Sequence, residues 1–210
     1  MKLYRFPHSN AAWKVQCAIE LAGAPLEVID VPYGDREVLL EVTRDYAAVP
    51  VVVLDDGRVL RDSRRICETL IAEDPRFARL VRSPFEGPIW AYADWADNVL
   101  EDPAFRLATP AIRRALPTRN ERALYTITKE RRFGAGCVEA WERDAPELLA
   151  RVQALLAPTV ATLRAQPFLF GDAPTLADAA LYGECAMLSR TPHLDALGFV
   201  LAAWMERMRR

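Results

Sequence analysis

The turn Pro7–Asn10 carries a serine whose hydroxyl could bind an anionic ligand. A helix is predicted directly after this turn, and the free N–H groups at a helix N-terminus attract negative charge. Ser9 and Asn10 are also common helix-capping residues, so helix capping explains their types equally well. No G-x-S-x-G motif surrounds Ser9, which argues against a hydrolase nucleophile.

Two further segments could contact a peptide-like ligand. A cis peptide between Val49 and Pro50 would turn the Val49 N–H and C=O outwards, whereas a trans proline would only mark the start of a strand. Asp62 and Ser63 stand where a predicted strand meets a predicted helix. They could cap this helix, or Asp62 could bind a ligand ammonium while the helix N-terminus binds a carboxylate.

The elements that must position these segments alternate between strand and helix over the first 75 residues. Apolar patterning predicts strands at 2–6, 26–31, 51–54 and 58–61, and helices at 12–21, 36–43 and 63–72. Gly23 is expected to end the first helix. The order β-α-β-α-β-β-α combines a parallel unit with an antiparallel hairpin, which implies a four-stranded mixed sheet with helices on it.

The rest of the chain is predicted to be helical. Prolines bound a connector, which we place at residues 76–84 between an N-terminal domain, 1–75, and an all-helical domain, 85–210. Helices are expected near 85–101, 104–116, 118–132, 144–165, 175–190 and 195–208. Thr175 and Asp178 have the spacing of a capping box, which is a folding device without chemistry of its own.

Composition excludes several classes of protein. The chain has 27 basic and 29 acidic residues and a net charge of −2, so no positive surplus favours nucleic acid. No apolar run is long enough to span a membrane, and the first ten residues are unlike a signal peptide. The four cysteines form no C-x-x-C and no zinc spacing with His8 or His193, so we expect no metal site. Reduced thiols in the cytoplasm are the simplest explanation of this cysteine usage.

Four motifs in this order resemble the cytosolic glutathione transferase family over essentially the whole chain. They are S-N-A-A-W-K-V after the first strand, V-P before the third, D-S after the fourth, and F-L-F-G-D-A-P-T-L-A-D near residue 170. The resemblance implies a thioredoxin-like α/β N-terminal domain, an all-α C-terminal bundle, and glutathione as co-substrate. It also implies a symmetric homodimer.

The resemblance assigns roles to the residues of these motifs. Ser9 matches the hydroxyl that steadies the glutathione thiolate in serine-type members (theta- and zeta-like), while a tyrosine-type member would use Tyr4. Val49, before Pro50, would pair its main chain with the cysteinyl part of glutathione. Asp62 and Ser63 would hold the γ-glutamyl ammonium and carboxylate.

One part of the family pattern is missing. Many members carry N-P-x-G-K before V-P, whereas this chain has the segment 44–48, R-D-Y-A-A. The contact with the glycyl carboxylate is therefore unassigned, and Arg36 or Arg44 could supply it.

The implied reaction is attack of the glutathione thiolate on a small electrophile. Candidate walls of the electrophile pocket are Trp13, Tyr92, Trp95 and Val99; the last three share one helix face, which core packing would also explain. A catalytically silent glutathione-binding relative is the alternative. A thioredoxin-like oxidoreductase would need a cysteine at the first helix, but Cys17 lies a full turn inside it. The sequence does not identify the electrophile.

Overall fold

The N-terminal third of the chain forms a mixed sheet flanked by helices in the computed structural model, which describes residues 1–209. The sheet order is β2-β1-β3-β4, with β1 parallel to β2 and antiparallel to β3, and with β3 antiparallel to β4. This confirms the predicted fold and element order. The strands are β1 Lys2–Arg5, β2 Glu27–Asp30, β3 Val51–Val53 and β4 Val59–Arg61, and the helices are α1 Asn10–Ala22, α2 Glu37–Thr43 and α3 Ser63–Glu73.

Local sequence explains both ends of α1. Ser9 Oγ accepts a hydrogen bond from the Ala12 N–H at 3.2 Å, which satisfies one free donor of the first turn. Gly23 has φ +70°, a left-handed conformation that ends the helix with little strain because glycine has no Cβ. Between these ends, Val15, Ala18 and Ile19 are buried in the core.

Helices make up most of the remaining chain. A short 3-10 helix, Pro75–Leu80, lies mainly within the segment predicted as a connector. The elements that follow are α4 Glu86–Trp95, a π turn Ala96–Leu100, α5 Glu101–Ala115, α6 Arg119–Phe133, α7 Cys137–Arg143, α8 Ala145–Ala165, α9 Leu176–Leu188, a 3-10 turn Asp195–Leu197 and α10 Phe199–Met208. No helix among residues 1–209 has the length and hydropathy needed to cross a membrane.

Three sequence expectations for these helices are wrong. The predicted break between 101 and 104 is absent, because the π turn joins α4 to α5 and relieves the crowding that Pro103 would cause in a regular helix. The seven-residue helix α7, between Gly136 and Asp144, was not expected. The helix predicted at 195–208 is interrupted at Gly198, where φ is +93°.

Helix α9 joins the two parts of the molecule by packing directly against α1. A Cβ at Gly183 would lie 2.5 Å from the Asn10 carbonyl oxygen, so only glycine permits this approach of the two backbones. Every residue of α9 is buried. The first turn of α1, which carries the candidate site, is therefore supported from behind by α9.

Candidate functional site

Strand register brings three of the predicted ligand-binding segments to one end of the sheet. Val51 of β3 pairs with Tyr4 of β1 on one side and with Arg61 of β4 on the other. Beyond this row, the chain continues to Ser9 after β1 and to Asp62 after β4, and Val49–Pro50 precedes β3. Neighbouring strands lie about 4.8 Å apart. These three segments therefore line one end of the sheet over a width of about two strand spacings.

The Ser9 hydroxyl is placed to donate a hydrogen bond. Its oxygen accepts from the Ala12 N–H, but no acceptor for the hydroxyl proton occurs among residues 1–209. The Ser9 side chain is half-buried at the N-terminus of a 13-residue helix, where the helix dipole favours negative charge. Tyr4, the other candidate hydroxyl, is buried within β1.

The peptide between Val49 and Pro50 is cis. Pro50 is buried and Val49 is half-buried. Within residues 1–209, neither the N–H nor the C=O of Val49 takes part in a hydrogen bond. The Val49 main chain therefore offers one hydrogen-bond donor and one acceptor at this end of the sheet.

Asp62 combines a capping bond with an unusual backbone. Its Oδ1 accepts from the Arg65 N–H at 3.0 Å, so the predicted capping role is present. Its φ is +69°, a region in which non-glycine residues are uncommon and tend to cluster at functional sites. Asp62 Oδ2 has no hydrogen-bond partner within residues 1–209, and Ser63 follows as the first residue of α3. Capping and ligand binding are thus compatible here.

The two candidate arginines differ in how many contacts their guanidinium groups make within the protein. Arg36 Nη1 donates to the Ala47 carbonyl at 2.8 Å, and its guanidinium lies over the rings of Phe6 and Tyr33. It therefore holds the chain two residues before Val49. Arg44 is exposed at the end of α2 with φ +71°.

Neither of the two cavities described below is lined by Trp13, Tyr92, Trp95 or Val99. Trp13 Nε1 donates to the Pro7 carbonyl at 2.9 Å, which braces the turn before Ser9, and the Trp13 ring contacts Tyr182 and Arg5.

On α4, Tyr92 Oη lies 2.8 Å from Thr159 Oγ1 of α8, and its ring contacts Trp95. Val99, in the π turn, is 40% exposed. Tyr92 and Trp13 thus have different neighbours, and core packing accounts for the stripe at 92 and 95.

A cavity of about 420 Å³ adjoins the Ser9 turn on one side. We call it the Tyr33 cavity. Its walls are mainly proline, aliphatic and aromatic side chains, and it is lined by Pro7, His8, Asp30, Val31, Pro32, Tyr33, Ala115, Leu116, Pro117, Glu121 and Arg190. His8 stacks on Phe6 and meets the edge of Tyr125. Burial is the main cause that lowers the pKa of His8 to about 4, so this ring is neutral at pH 7.

A second cavity, of about 250 Å³, has mainly polar walls. We call it the acidic cavity; it is lined by Asp97, Asn98, Glu101, Asp102, Phe105, Arg132 and Phe133. Lys14 of α1 pairs with Asp97 at 2.5 Å, which ties this cavity to α1. Burial raises the pKa of Glu101, and the nearby Asn10 amide acts in the opposite direction.

A buried carboxyl group lies behind Ser9. Asn10 Nδ2 donates to Glu184 Oε1 at 2.5 Å, and Glu184 Oε2 has no hydrogen-bond partner within residues 1–209. Burial, followed by the charge of Glu101, raises the pKa of Glu184 well above its usual value. The raised pKa favours the protonated carboxyl, which carries less negative charge behind the first turn of α1 than an ionised one would.

The sequence contained a signal for this group that our prediction did not use. Glu184 is a lone acid in the apolar run A-L-Y-G-E-C-A-M-L, and an acid in such a run is buried only if a polar partner reaches it. The Tyr33 cavity had no comparable signal, because its walls come from distant segments.

The four cysteines are all free and buried. Burial raises the pKa of Cys67 to about 11 and of Cys185 to about 12, and it also raises the pKa of Cys17. Buried thiols with raised pKa values are poor nucleophiles. Cys17 therefore does not support an oxidoreductase role.

Family models match most of the chain. The glutathione S-transferase N-terminal domain matches residues 3–78, and the glutathione S-transferase C-terminal domain matches residues 108–210. A search of curated protein sequences gives no match.

Solved structures share the fold across nearly the whole chain. A glutathione transferase from Phanerochaete chrysosporium superposes with a TM-score of 0.80 at 19% identity, covering 99% of this chain and 95% of its own. A glutathione S-transferase of Ceriporiopsis subvermispora in complex with glutathione gives 0.75 at 20% identity, with 99% and 96% covered. Glutaredoxin 2 from Salmonella typhimurium in complex with glutathione gives 0.74 at 18% identity, with 99% and 92% covered. At these identities the likeness establishes the fold.

Proposed function

The chain belongs to the glutathione S-transferase family, and from this premise we propose that it transfers the glutathione thiolate to a small electrophile, with Ser9 holding the sulfur. The observation that supports the proposal is the Ser9 hydroxyl at the N-terminus of α1, whose proton has no hydrogen-bond acceptor among residues 1–209. It lies at the same sheet end as Val49–Pro50 and Asp62–Ser63. A serine-type mechanism, as in theta- and zeta-like members, is part of this proposal.

The proposed energetics need no acid or base. A free thiol has a pKa of about 8.5 and is only about 3% ionised at pH 7. Lowering this pKa by about two units requires roughly 2.7 kcal/mol of thiolate-selective stabilisation. A hydroxyl hydrogen bond to a charged acceptor contributes about 1.5–3 kcal/mol, and a helix N-terminus about 0.3–1 kcal/mol. Ser9 and α1 together would supply about 1.8–4 kcal/mol, a range that includes the required amount.

In the proposed reaction the thiol proton leaves to solvent and the sulfur attacks the electrophilic carbon. An S–C bond forms while the leaving group departs with its electron pair, or while a π pair moves onto the acceptor atom and is protonated by water. We place the electrophile in the Tyr33 cavity, because this cavity adjoins the Ser9 turn and has mainly apolar walls. This assignment replaces the pocket expected at Trp13, Tyr92, Trp95 and Val99.

Glutathione itself is proposed to lie along the end of the sheet that Ser9, Val49 and Asp62 line. The free Val49 N–H and C=O, next to Pro50, would pair with the cysteinyl main chain, as in strand addition. Asp62 Oδ2 would accept from the γ-glutamyl ammonium, and Ser63 with the N-terminus of α3 would bind its carboxylate. Arg36, through its remaining donors, or the exposed Arg44 would bind the glycyl carboxylate.

The γ-glutamyl assignment predicts weaker binding of glutathione rather than slower chemistry. Asp62→Asn keeps a good capping residue that tolerates positive φ but removes the charge, so it separates the two roles of Asp62. We expect Asp62→Asn and Ser63→Ala each to raise the Kd of glutathione about tenfold, since a charge-assisted hydrogen bond contributes about 1.5–3 kcal/mol. Titration calorimetry measures this effect.

Glu147→Gln is the matched control for this experiment, because it removes an exposed carboxylate from α8, which contributes no residue to the proposed glutathione site. A Kd within twofold of wild type for both Asp62→Asn and Ser63→Ala would remove these residues from the proposed site.

Association as a symmetric homodimer is also part of the proposal. Apolar side chains remain exposed at the edge strand β4, where Val59 is 36% exposed, and at the start of α4, where Phe85 is 43% exposed. Closed twofold association is the commonest way to cover such surface. Light scattering at micromolar concentration should give about twice the 23.6 kDa chain mass, and a mass near one chain would refute the dimer.

The proposed compartment is the cytoplasm. It is supported by four buried cysteines that remain free thiols.

A further inference from the structure

Arg190 is a cation without a partner on the wall of the Tyr33 cavity. It follows α9, and no ion pair or side-chain hydrogen bond of Arg190 occurs among residues 1–209. Burial, then Arg5, lowers the pKa of Arg190, and Asp30 acts in the opposite direction. Arg190 is exposed, so its guanidinium is open to solvent and an anion in the cavity could approach it.

The two carboxylates on the same wall are already engaged. Asp30 pairs with Arg5 at 2.7 Å. Glu121 is buried and accepts from the Thr118 N–H at 3.2 Å and from the Thr118 hydroxyl at 2.9 Å. These hydrogen bonds help to lower the pKa of Glu121 against the opposing effect of burial. Both carboxylates therefore have other hydrogen-bond partners, although the charge of Asp30 still acts on Arg190.

Two more cations act on the same region. Lys129 Nζ lies 3.9 Å from the centre of the Tyr125 ring, and the Arg36 guanidinium lies 4.7 Å from that of Tyr33. After burial, the charges of Lys129, Arg190 and Arg36 are the causes that lower the pKa of His8. Three cations therefore act on the His8 end of the cavity, whose wall also carries Asp30 and Glu121.

The size of the Tyr33 cavity and the chemistry of its walls limit the kind of ligand that could occupy it. A volume of about 420 Å³ suits a single substituted ring, and proline, leucine and tyrosine side chains form its apolar walls. An anionic group on that ring would meet a cation that has no protein partner, so the charge-assisted hydrogen bond would replace hydrogen bonds to water and break none within the protein.

We propose that the electrophile is an aromatic compound that carries a carboxylate, held in the Tyr33 cavity with the carboxylate on Arg190. This inference rests on the proposed transferase function for the reaction, but the anion site itself does not depend on it. Lys129 and Arg36 add long-range attraction for the same charge. We place the reactive carbon beside Pro7 and His8, because these two cavity residues belong to the Ser9 turn.

A matched pair of electrophiles tests the charge preference. In 4-chloro-3,5-dinitrobenzoate and 4-chloro-3,5-dinitrobenzamide, the sulfur attacks C4, chloride leaves with the C–Cl electron pair, and the thiol proton goes to solvent. The ratio of the two kcat/KM values, each divided by its uncatalysed rate with glutathione, isolates the contribution of the protein. We expect the carboxylate to be preferred about tenfold by the wild-type protein.

Variants assign this preference to one residue. Arg190→Gln should bring the ratio to within about twofold of one, whereas Arg190→Lys should keep most of the preference. Arg131→Gln removes an equal charge from an exposed position of α6 outside the cavity wall and should leave the ratio unchanged. Equal normalised rates for the two probes, or equal losses on both in Arg190→Gln, would overturn the inference.

A binding measurement separates this inference from the proposed function. Calorimetry without glutathione compares the unreactive 3,5-dinitrobenzoate with 3,5-dinitrobenzamide. Tighter binding of the benzoate that Arg190→Gln abolishes supports the anion site even if neither electrophile reacts, in which case the transferase proposal alone fails. Equal affinities for both compounds overturn the anion site, whatever the activity.

Discussion

Replacing Ser9 with alanine is expected to lower kcat/KM for glutathione conjugation at pH 7 tenfold or more. The variant loses one hydrogen bond to the thiolate, worth about 1.5–3 kcal/mol, and keeps the helix N-terminus. The apparent pKa in the pH–rate profile should rise by about one to two units for the same reason. Stopped-flow or steady-state assays from pH 6 to pH 9 measure both effects.

Ser9 also caps α1, so the chemical and structural effects of the substitution must be separated. Ser9→Gly loses the same hydroxyl but costs the cap only a few tenths of a kcal/mol, against about 1 kcal/mol for alanine. Equal losses of activity in the two variants would show that the hydroxyl acts on the sulfur. Ser9→Thr should retain most activity because it keeps both the cap and the donor. Full activity in Ser9→Ala with a loss in Tyr4→Phe would move the role to Tyr4.

The second large effect concerns stability. Asp178→Ala is expected to lower the free energy of unfolding by about 3–5 kcal/mol, because it leaves several buried donors without an acceptor. Asp178 is fully buried and accepts from the Leu169 N–H at 3.0 Å, from the Thr175 N–H and hydroxyl at 2.9 and 3.0 Å, and from Trp204 Nε1 at 3.2 Å. Urea denaturation measures the change.

The control is Asp172→Ala, an exposed acid in the same segment, which should change the stability by no more than about 0.5 kcal/mol. Asp178→Asn keeps one acceptor oxygen and should lie between the two. A loss below about 1 kcal/mol for Asp178→Ala would contradict the view that this carboxylate ties three segments together.

Asp178 also shows that a residue of a local capping motif can make hydrogen bonds to distant parts of the chain. The T-L-A-D spacing predicted the bond between Asp178 and the Thr175 N–H, since a capping box needs only residues three apart. The bonds to Leu169 and Trp204 depend on how a loop and α10 fold onto α9. A motif that was predicted to cap one helix therefore joins three parts of the chain.

The sequence by itself determined the element order of the first 75 residues, the four-stranded sheet, the end of α1 at Gly23 and the segments that meet at one end of the sheet. These features follow from short-range causes: alternation and helical periodicity of apolar residues, turn residues, and the rule that successive strands pair. The resemblance to glutathione transferases rested on the same short segments, and the family models bear it out.

Only the tertiary structure decided which side chains surround the cavity beside Ser9. His8, Tyr33, Leu116 and Arg190 come from four separate segments, and no short-range pattern links them. Periodicity placed Tyr92 and Trp95 on one helix face, but it could not show that Tyr92 faces Thr159 of α8. A helical pattern specifies which residues share a face, whereas the partner of that face is set by packing between elements that are distant in the chain.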